Sequence, residues 1–362
     1  MRKMIFLCLL VAPLLLGFKT SGDTIKAGVA VPLTGGAKQI AADVRNGVAL
    51  AADEWNKKGG VLGKRIELVV KDDQGDPKIA ATAANELVAS GVAGVIGHVN
   101  SGASLAAIKY YDHAGIPMIS PASTNAELTD KGYLSAFRTC GKNDQQAEIA
   151  ADFVIKLKLK KVALIHDQTA YGQGLASEFM RQIQGKVEPV YYAGFDPQNR
   201  NFQEILKTIT LKKPDLIYFC GTYFDAGDFL KQAGELGIHT LFMGGDGVAN
   251  PELIKIAGDV KDAYFTANPD IEKRSTAKNF IAAYEQKFGA VGEYSAYAYD
   301  AANALFTAIE KAGTTSGKEV IDKLHTLKFD GALGAMKFDV HGDVEGASYV
   351  IWTVKNGKLA EY

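Results

Sequence analysis

Cysteine is scarce in this chain: Cys8, Cys140 and Cys220 are the whole complement of its 362 residues. Cys8 falls inside an N-terminal apolar run, which leaves two thiols far apart in sequence, too few for a disulfide framework. They read as small buried apolar residues, although an oxidising compartment permits a bond if they meet. No His or Cys pair has the spacing of metal ligands, so no metal site is expected. An excess of charge of one sign is missing as well. The formal net charge is −1, which gives no support to nucleic-acid binding, since that needs a concentrated basic surface.

Long apolar runs are nearly absent. The exception is residues 4–16, preceded by Arg2 and Lys3 and followed by polar sequence from Lys19. A positive end, a short apolar centre and a polar exit make a secretory signal peptide, here expected over residues 1–22. The run is short for a spanning helix, which needs roughly 20 apolar residues. Cys8 lies within the run rather than after it, so a lipoprotein anchor is not expected. The remaining chain is expected to be soluble and periplasmic, with a length suited to two domains.

From Thr24 onward, short β-rich runs alternate with amphipathic stretches. Strands are expected over residues 25–32, 66–70, 92–97 and 116–120, and helices over 44–57, 78–89 and 104–113. The apolar run at 92–97 fits a strand buried on both faces. The alternation resumes at Lys161, with strands over 161–166, 188–192, 216–220, 241–244 and 263–266. Helices are expected over 174–184, 202–209, 226–236 and 251–256. Strands alternating with helices of this length indicate parallel βαβ units, and two such series imply two lobes of similar architecture. Helices over 275–288, 297–312 and 317–327 precede a β-rich tail at 349–354. No Pro- or Ser-rich linker separates the series, so ordered crossovers must join them.

Open parallel sheets bind ligands beyond the carboxyl ends of their strands, and several polar segments fall there. Gly97-His98-Val99-Asn100-Ser101-Gly102 joins a buried strand to a helix, whose free N–H groups suit a carboxylate. A plain N-cap at Ser101 is the competing reading. Ser120-Pro121-Ala122-Ser123-Thr124 ends the next strand, and Thr124 and Glu127 have capping-box spacing. In the second series, Tyr171 and Tyr223 follow strands and offer ring walls, or simple packing. Asp246, in the Gly-rich turn after 241–244, either shapes the backbone or supplies a counter-charge for an ammonium group. His98 and His166 read as structural, and Asp72-Asp73 as a solvated strand end. There is no Gly-x-Ser-x-Gly elbow, Walker loop, Gly-x-Gly-x-x-Gly turn or zinc-ligand helix. Since an α/β fold alone could host an enzyme, this absence is why no catalytic residue and no cofactor is expected.

The chain resembles the leucine/isoleucine/valine-binding protein family, periplasmic receptors of branched-chain amino acid ABC transporters. Matching segments include Asn56-Lys57-Lys58-Gly59-Gly60-Val61-Leu62-Gly63, Asp72-Asp73-Gln74-Gly75-Asp76-Pro77 and Val95-Ile96-Gly97-His98. Pro121-Ala122-Ser123-Thr124, Phe137-Arg138-Thr139, Tyr171-Gly172-Gln173-Gly174 and Gly245-Asp246-Gly247-Val248-Ala249-Asn250 continue the match in the same order. The resemblance implies a type I periplasmic-binding fold, two doubly wound parallel-sheet lobes joined by a three-strand hinge. Crossovers are implied near residues 138–141, 267–270 and 331–337. One lobe would then combine 24–140 with 268–333, and the other 141–267 with 334–362.

It further implies that Ser101, Ala122 (through its backbone) and Thr124 take a ligand carboxylate. Tyr171 and Tyr223 would face them from the other lobe, with Asp246 pairing the ligand ammonium. Asp246 replaces a commoner Glu, and Ile40 stands where an aromatic commonly lines the side-chain pocket. Tyr294 lies near another family contact. Gly75 and Asn100 occupy the approximate positions of the family's cysteine pair. The implied partners are a small amino acid and a membrane permease, and the implied state is a monomer. The alternatives are another small ligand (a polar or aromatic amino acid, γ-aminobutyrate or an amide) or, from a different class, an α/β enzyme.

Overall fold

The structure, a computed structural model, describes residues 24–258 and 260–362. The leader expected over residues 1–22 lies outside the described residues. The first series runs β1 (Ile25–Val31), α1 (Lys38–Lys57), β2 (Ile66–Asp72), α2 (Pro77–Ala89), β3 (Val95–Gly97), α3 (Ser101–His113), β4 (Met118–Ser120), α4 (Glu127–Asp130) and β5 (Ala136–Arg138). Its strands form one parallel sheet in the order β2-β1-β3-β4-β5.

The second series runs α5 (Asn143–Lys156), β6 (Lys161–His166), α6 (Ala170–Ile183), β7 (Glu188–Gly194), α7 (Gln203–Lys212), β8 (Leu216–Cys220), α8 (Tyr223–Glu235), β9 (Leu241–Gly244), α9 (Pro251–Ala257) and β10 (Ala263–Ala267). The chain then continues through α10 (Lys278–Phe288), α11 (Ser295–Ala312), α12 (Gly317–Thr326), the hairpin β11 (Lys328–Gly331) and β12 (Gly334–Lys337), and finally β13 (Val350–Lys355) and β14 (Lys358–Glu361). The second sheet has the order β14-β13-β10-β9-β8-β6-β7. It is parallel except at its edge, where β13 and β14 add antiparallel.

Both sheets are covered on both faces, which is why β6 and β8 read as continuous apolar runs. On the first sheet, Val44, Val48 and Ala51 of α1 share a core with Ala298, Ala301 and Leu305 of α11. Leu87 of α2 and Ile108 and Tyr111 of α3 cover the other face. Helices α1 and α11 approach closely because Gly47 sits between them, where a Cβ would overlap the Ser295 carbonyl. On the second sheet, Phe202, Phe229 and Leu253 pack on one face, and Ala147, Ala151 and Phe179 on the other. The architecture is thus the expected pair of α/β lobes, with α10 to α12 returning to the first.

Two departures from expectation bear on the cleft. Helix α5 fills a stretch in which the strand-and-helix alternation places no element. It buries Asn143, Gln146, Ala147, Ala150, Ala151 and Val154, a helical spacing whose small and polar members weaken the apolar signal. Its start is fixed by Gln145, whose Oε1 accepts the Lys142 N–H at 2.9 Å. The second departure is the last passage between the sheets. Residues 334–345 were expected in the second lobe, but Phe338 belongs to the first core, with its ring 5.2 Å from that of Phe137. Asp343 forms a bridge and an ion pair with Arg138 at the end of β5. The passage therefore falls after Val344, because Phe329 of the hairpin and Phe338 and Val344 after it pack into the first core.

Candidate functional site

The parallel topology places every strand-end candidate on one cleft. Ser101 opens α3 after β3, Ala122 and Thr124 follow β4, and Tyr171 opens the helix after β6. Tyr223 begins α8 after β8, and Asp246 starts a single 3-10 turn after β9. The two sides of the cleft touch. The Tyr223 hydroxyl donates to Gly36 O at 2.7 Å, and Asn125 Nδ2 donates to Ala170 O at 2.6 Å. Ile40 packs against both the first core and the second.

Asp246 is the focus of the second side. Its Oδ1 accepts from the Tyr171 hydroxyl at 2.6 Å and from Gly247 N at 3.0 Å. Its Oδ2 accepts from the Tyr294 hydroxyl at 3.0 Å. Tyr294 precedes α11 and is buried in the first core, so phenols from both sides grip one carboxylate. All three donors are neutral. Burial raises the Asp246 carboxyl above the ordinary carboxylate range, and the bonds from Tyr171 and Tyr294 oppose that shift. A buried carboxylate held only by neutral donors is a site for a cation.

The strand-end candidates of the first side, Ser101, Ala122 and Thr124, are uncharged. Ser101 is the first residue of its helix, not the cap. The cap position is Asn100, which makes no side-chain capping bond. Ser101 Oγ instead accepts Asn125 N at 3.3 Å. The capping box of Thr124 and Glu127 does not form: Asn125 Oδ1 takes the Glu127 N–H, at 2.9 Å. Thr124 is fully buried and its hydroxyl has no hydrogen-bond partner. The Ala122 N–H makes a long contact of 3.4 Å to Ser120 Oγ. Buried polar atoms are ordinarily paired, so these groups are available to a ligand.

Four further residues join the cleft without a strand-end signal. Gln146, buried on α5, accepts Asp246 N at 3.4 Å through Oε1, and its Nε2 has no partner. The buried Tyr349 hydroxyl is also unpaired. Glu293 accepts from Asn268 Nδ2 at 3.2 Å; burial raises its carboxyl, and the charges of Asp246 and Asp43 raise it further. Asp43, on α1, is pushed up to about 7 by burial. The Gln146 signal was the 143–154 helical spacing. Glu293, in the loop before α11, had no signal at all.

The remaining candidates are structural. His98 is buried, with Nδ1 2.6 Å from Asp73 Oδ2 and Nε2 3.1 Å from the Tyr111 hydroxyl. Asp73 is therefore not a solvated strand end: it is fully buried, with its carboxyl hydrogen-bonded to the histidine. His166 Nδ1 accepts Gln168 N at 3.2 Å. Cys140 and Cys220 are free and buried, and burial pushes the Cys140 thiol up to about 12. Gly75 and Asn100 do face one another, since a Cβ on Gly75 would lie 2.9 Å from Asn100 Oδ1. Among the described residues no group of three or more His, Cys, Asp or Glu side chains could hold a metal ion.

Two lobes meeting over neutral donors on one side and a buried acid on the other make a receptor for a small polar solute. The chain belongs to the periplasmic binding protein family, whose family model matches residues 24–358. It is 34% identical over 340 residues to a Leu/Ile/Val-binding protein homologue of Brucella melitensis, covering 92% of each chain. It is 32% identical to a leucine-, isoleucine-, valine-, threonine- and alanine-binding protein of Pseudomonas aeruginosa, covering 92% of this chain and 91% of that one. Among solved structures, a leucine-binding protein of Thermotoga maritima matches with a TM-score of 0.87 at 30% identity, covering 94% of this chain and 98% of that one. A branched-chain amino acid transporter substrate-binding protein of Streptococcus pneumoniae, solved with isoleucine, matches with a TM-score of 0.85 at 31% identity, covering 94% and 100%.

Proposed function

We propose that this protein captures a branched-chain or related small amino acid outside the cytoplasm and delivers it to the permease of an ABC transporter. The observation that carries the reading is the Asp246 carboxylate, buried and gripped by Tyr171 and Tyr294 with no cation among its hydrogen-bond partners. The ligand ammonium supplies the missing charge. Ser101, the Ala122 N–H and the unpaired Thr124 hydroxyl take the carboxylate. Tyr223 and Ile40 close the cleft over the side chain. The solved relative that holds isoleucine supports an aliphatic ligand of this size.

A second reading is a different small amine, such as a polar amino acid or γ-aminobutyrate. Glu293 favours the polar amino acid, because its carboxyl could bond a polar side chain and would find no partner on an aliphatic one. The deciding experiment is a thermal-shift panel on ligand-stripped protein with all common amino acids, γ-aminobutyrate and simple amides. A true ligand at a hundredfold excess over its Kd stabilises by about 2.7 kcal/mol. Selective shifts with leucine, isoleucine or valine are expected. A shift with another ligand alone would move the specificity, and no shift with any would remove the reading.

A further inference from the structure

Among the described side chains that hold the loop carrying Thr124, Arg138 alone is charged, and it binds the loop's carbonyls. Arg138, at the end of β5, is fully buried, and its guanidinium spends its donors locally. Nη1 donates to Ser123 O at 2.8 Å and to Asn125 O at 3.0 Å, while Nη2 donates to Thr129 Oγ1 at 2.8 Å. Between those two carbonyls, Thr124 O accepts Asn143 N at 2.8 Å. Across a trans peptide the C=O and N–H point opposite ways. Fixing the Ser123 carbonyl therefore turns the Thr124 N–H away from the guanidinium, and fixing the Thr124 carbonyl aims Asn125 N at Ser101 Oγ.

The charge of Arg138 is met by Asp343, with Nε 2.6 Å from Oδ1. Asp343 also accepts from Thr129 Oγ1 at 2.9 Å, and its Oδ2 lies 3.3 Å from Lys142 Nζ. Arg138 N donates to Gly342 O at 2.9 Å. Asp343 sits just before the chain's last passage to the second sheet, and Arg138 and Lys142 flank its first.

We propose that Arg138, held by Asp343, is a positioning residue for ligand capture: it presents the 123–125 loop to the ligand and ties that loop to two of the passages between the lobes. The proposal rests on the amino-acid reading of the cleft. Removing Asp343 alone strands a buried guanidinium and can prevent folding, whereas an apolar pair in place of a buried ion pair is commonly tolerated. The test is therefore a double-mutant cycle between Thr124→Val and the paired change Arg138→Met with Asp343→Leu, read as the Kd for L-leucine by calorimetry. Residues acting through one loop are non-additive, and independent ones add. Thr124→Val should weaken binding at least tenfold in the wild-type background and less than threefold in the paired variant. Equal losses in both would overturn the positioning role and leave the binding site as proposed. No loss in either would overturn both, since Thr124 would then not touch the ligand.

Discussion

On the first sheet's side of the cleft the strand ends carry Ser101, Ala122 and Thr124, none of them charged. On the second sheet's side the equivalent strand ends carry Tyr171, Tyr223 and Asp246. The architecture repeats, while the chemistry is inverted. One side offers unsatisfied donors and acceptors that cost little to hydrate when the cleft opens; the other buries an acid that burial pushes toward its neutral form. A zwitterion fits between them in one orientation only. On the proposed reading the first side docks the ligand carboxylate, and the ammonium adds the charge that the neutral donors around Asp246 do not supply.

The sharpest way to break that contrast is Asp246→Asn, an isosteric change that removes the charge. A buried ammonium left unpaired costs about 3–5 kcal/mol, so calorimetry should show at least a hundredfold weaker binding. Wild-type affinity should also depend on pH with a definite sign. Burial raises the carboxyl, so it takes up a proton at a higher pH than an ordinary carboxylate, and affinity should fall as pH falls, because the proton replaces the ligand's ammonium. Tight binding by Asp246→Asn, or affinity that improves on acidification, would show that the acid is not the ammonium partner.

How much of this was legible follows from where each residue sits. Ser101, Thr124, Tyr171, Tyr223 and Asp246 could be put forward as candidates because apolar strands such as 161–166 and 216–220 announce their own ends, and parallel sheets gather those ends on one side. Their cradle was not legible. Gln146 lies on a helix whose buried face is largely alanine and amide, so its hydrophobic periodicity is faint. Glu293 and Tyr349 enter from loops whose placement depends on the return of the chain to the first sheet. The last passage was placed too early because Phe338 reads as tail sequence until Phe137 is seen beside it. Asp73 looked solvated because its partner, His98, is 25 residues away. Local pattern gives elements; the pairing of charges needs the tertiary fold.

Asp43 sharpens the contrast on the first side, because it is an acid in the lobe whose ligand groups are neutral. It lies against Gly292, where a Cβ would overlap its carboxyl, and burial raises it from 3.8 to about 7. For an acid raised on folding, the unfolded chain loses the proton first. The native state is then penalised progressively as pH rises from about 3.8 to about 7, and fully above that. Asp43→Asn removes the penalty. Its gain in thermal stability over wild type should be near zero at pH 3.5 and on the order of a few kcal/mol at pH 8. A gain independent of pH would mean that Asp43 is hydrated and not part of the buried cleft wall.

Thr124→Val tests the neutral side by itself. The change keeps the shape and removes a hydroxyl whose only available partner is a ligand. A hydrogen bond to a charged group contributes about 1.5–3 kcal/mol, so the loss should be ten- to a hundredfold in Kd, smaller than for Asp246→Asn. If the two losses were equal, the division into a neutral docking side and a charged locking side would be wrong.

The smallest effect is expected where the two sides meet without ligand between them. Tyr223 donates across the cleft to Gly36 O at 2.7 Å and is otherwise packed in the second core. Tyr223→Phe keeps the ring and removes that one bond, with a net value of about 0.5–1.5 kcal/mol. Because the bond crosses from one side of the cleft to the other, its loss should shift the equilibrium between closed and open forms rather than the docking step. Stopped-flow measurements should show a several-fold faster release of ligand with little change in the association rate. A slower association with unchanged release would instead place Tyr223 in the open-form encounter, and the second side would then take part in docking as well as in closure.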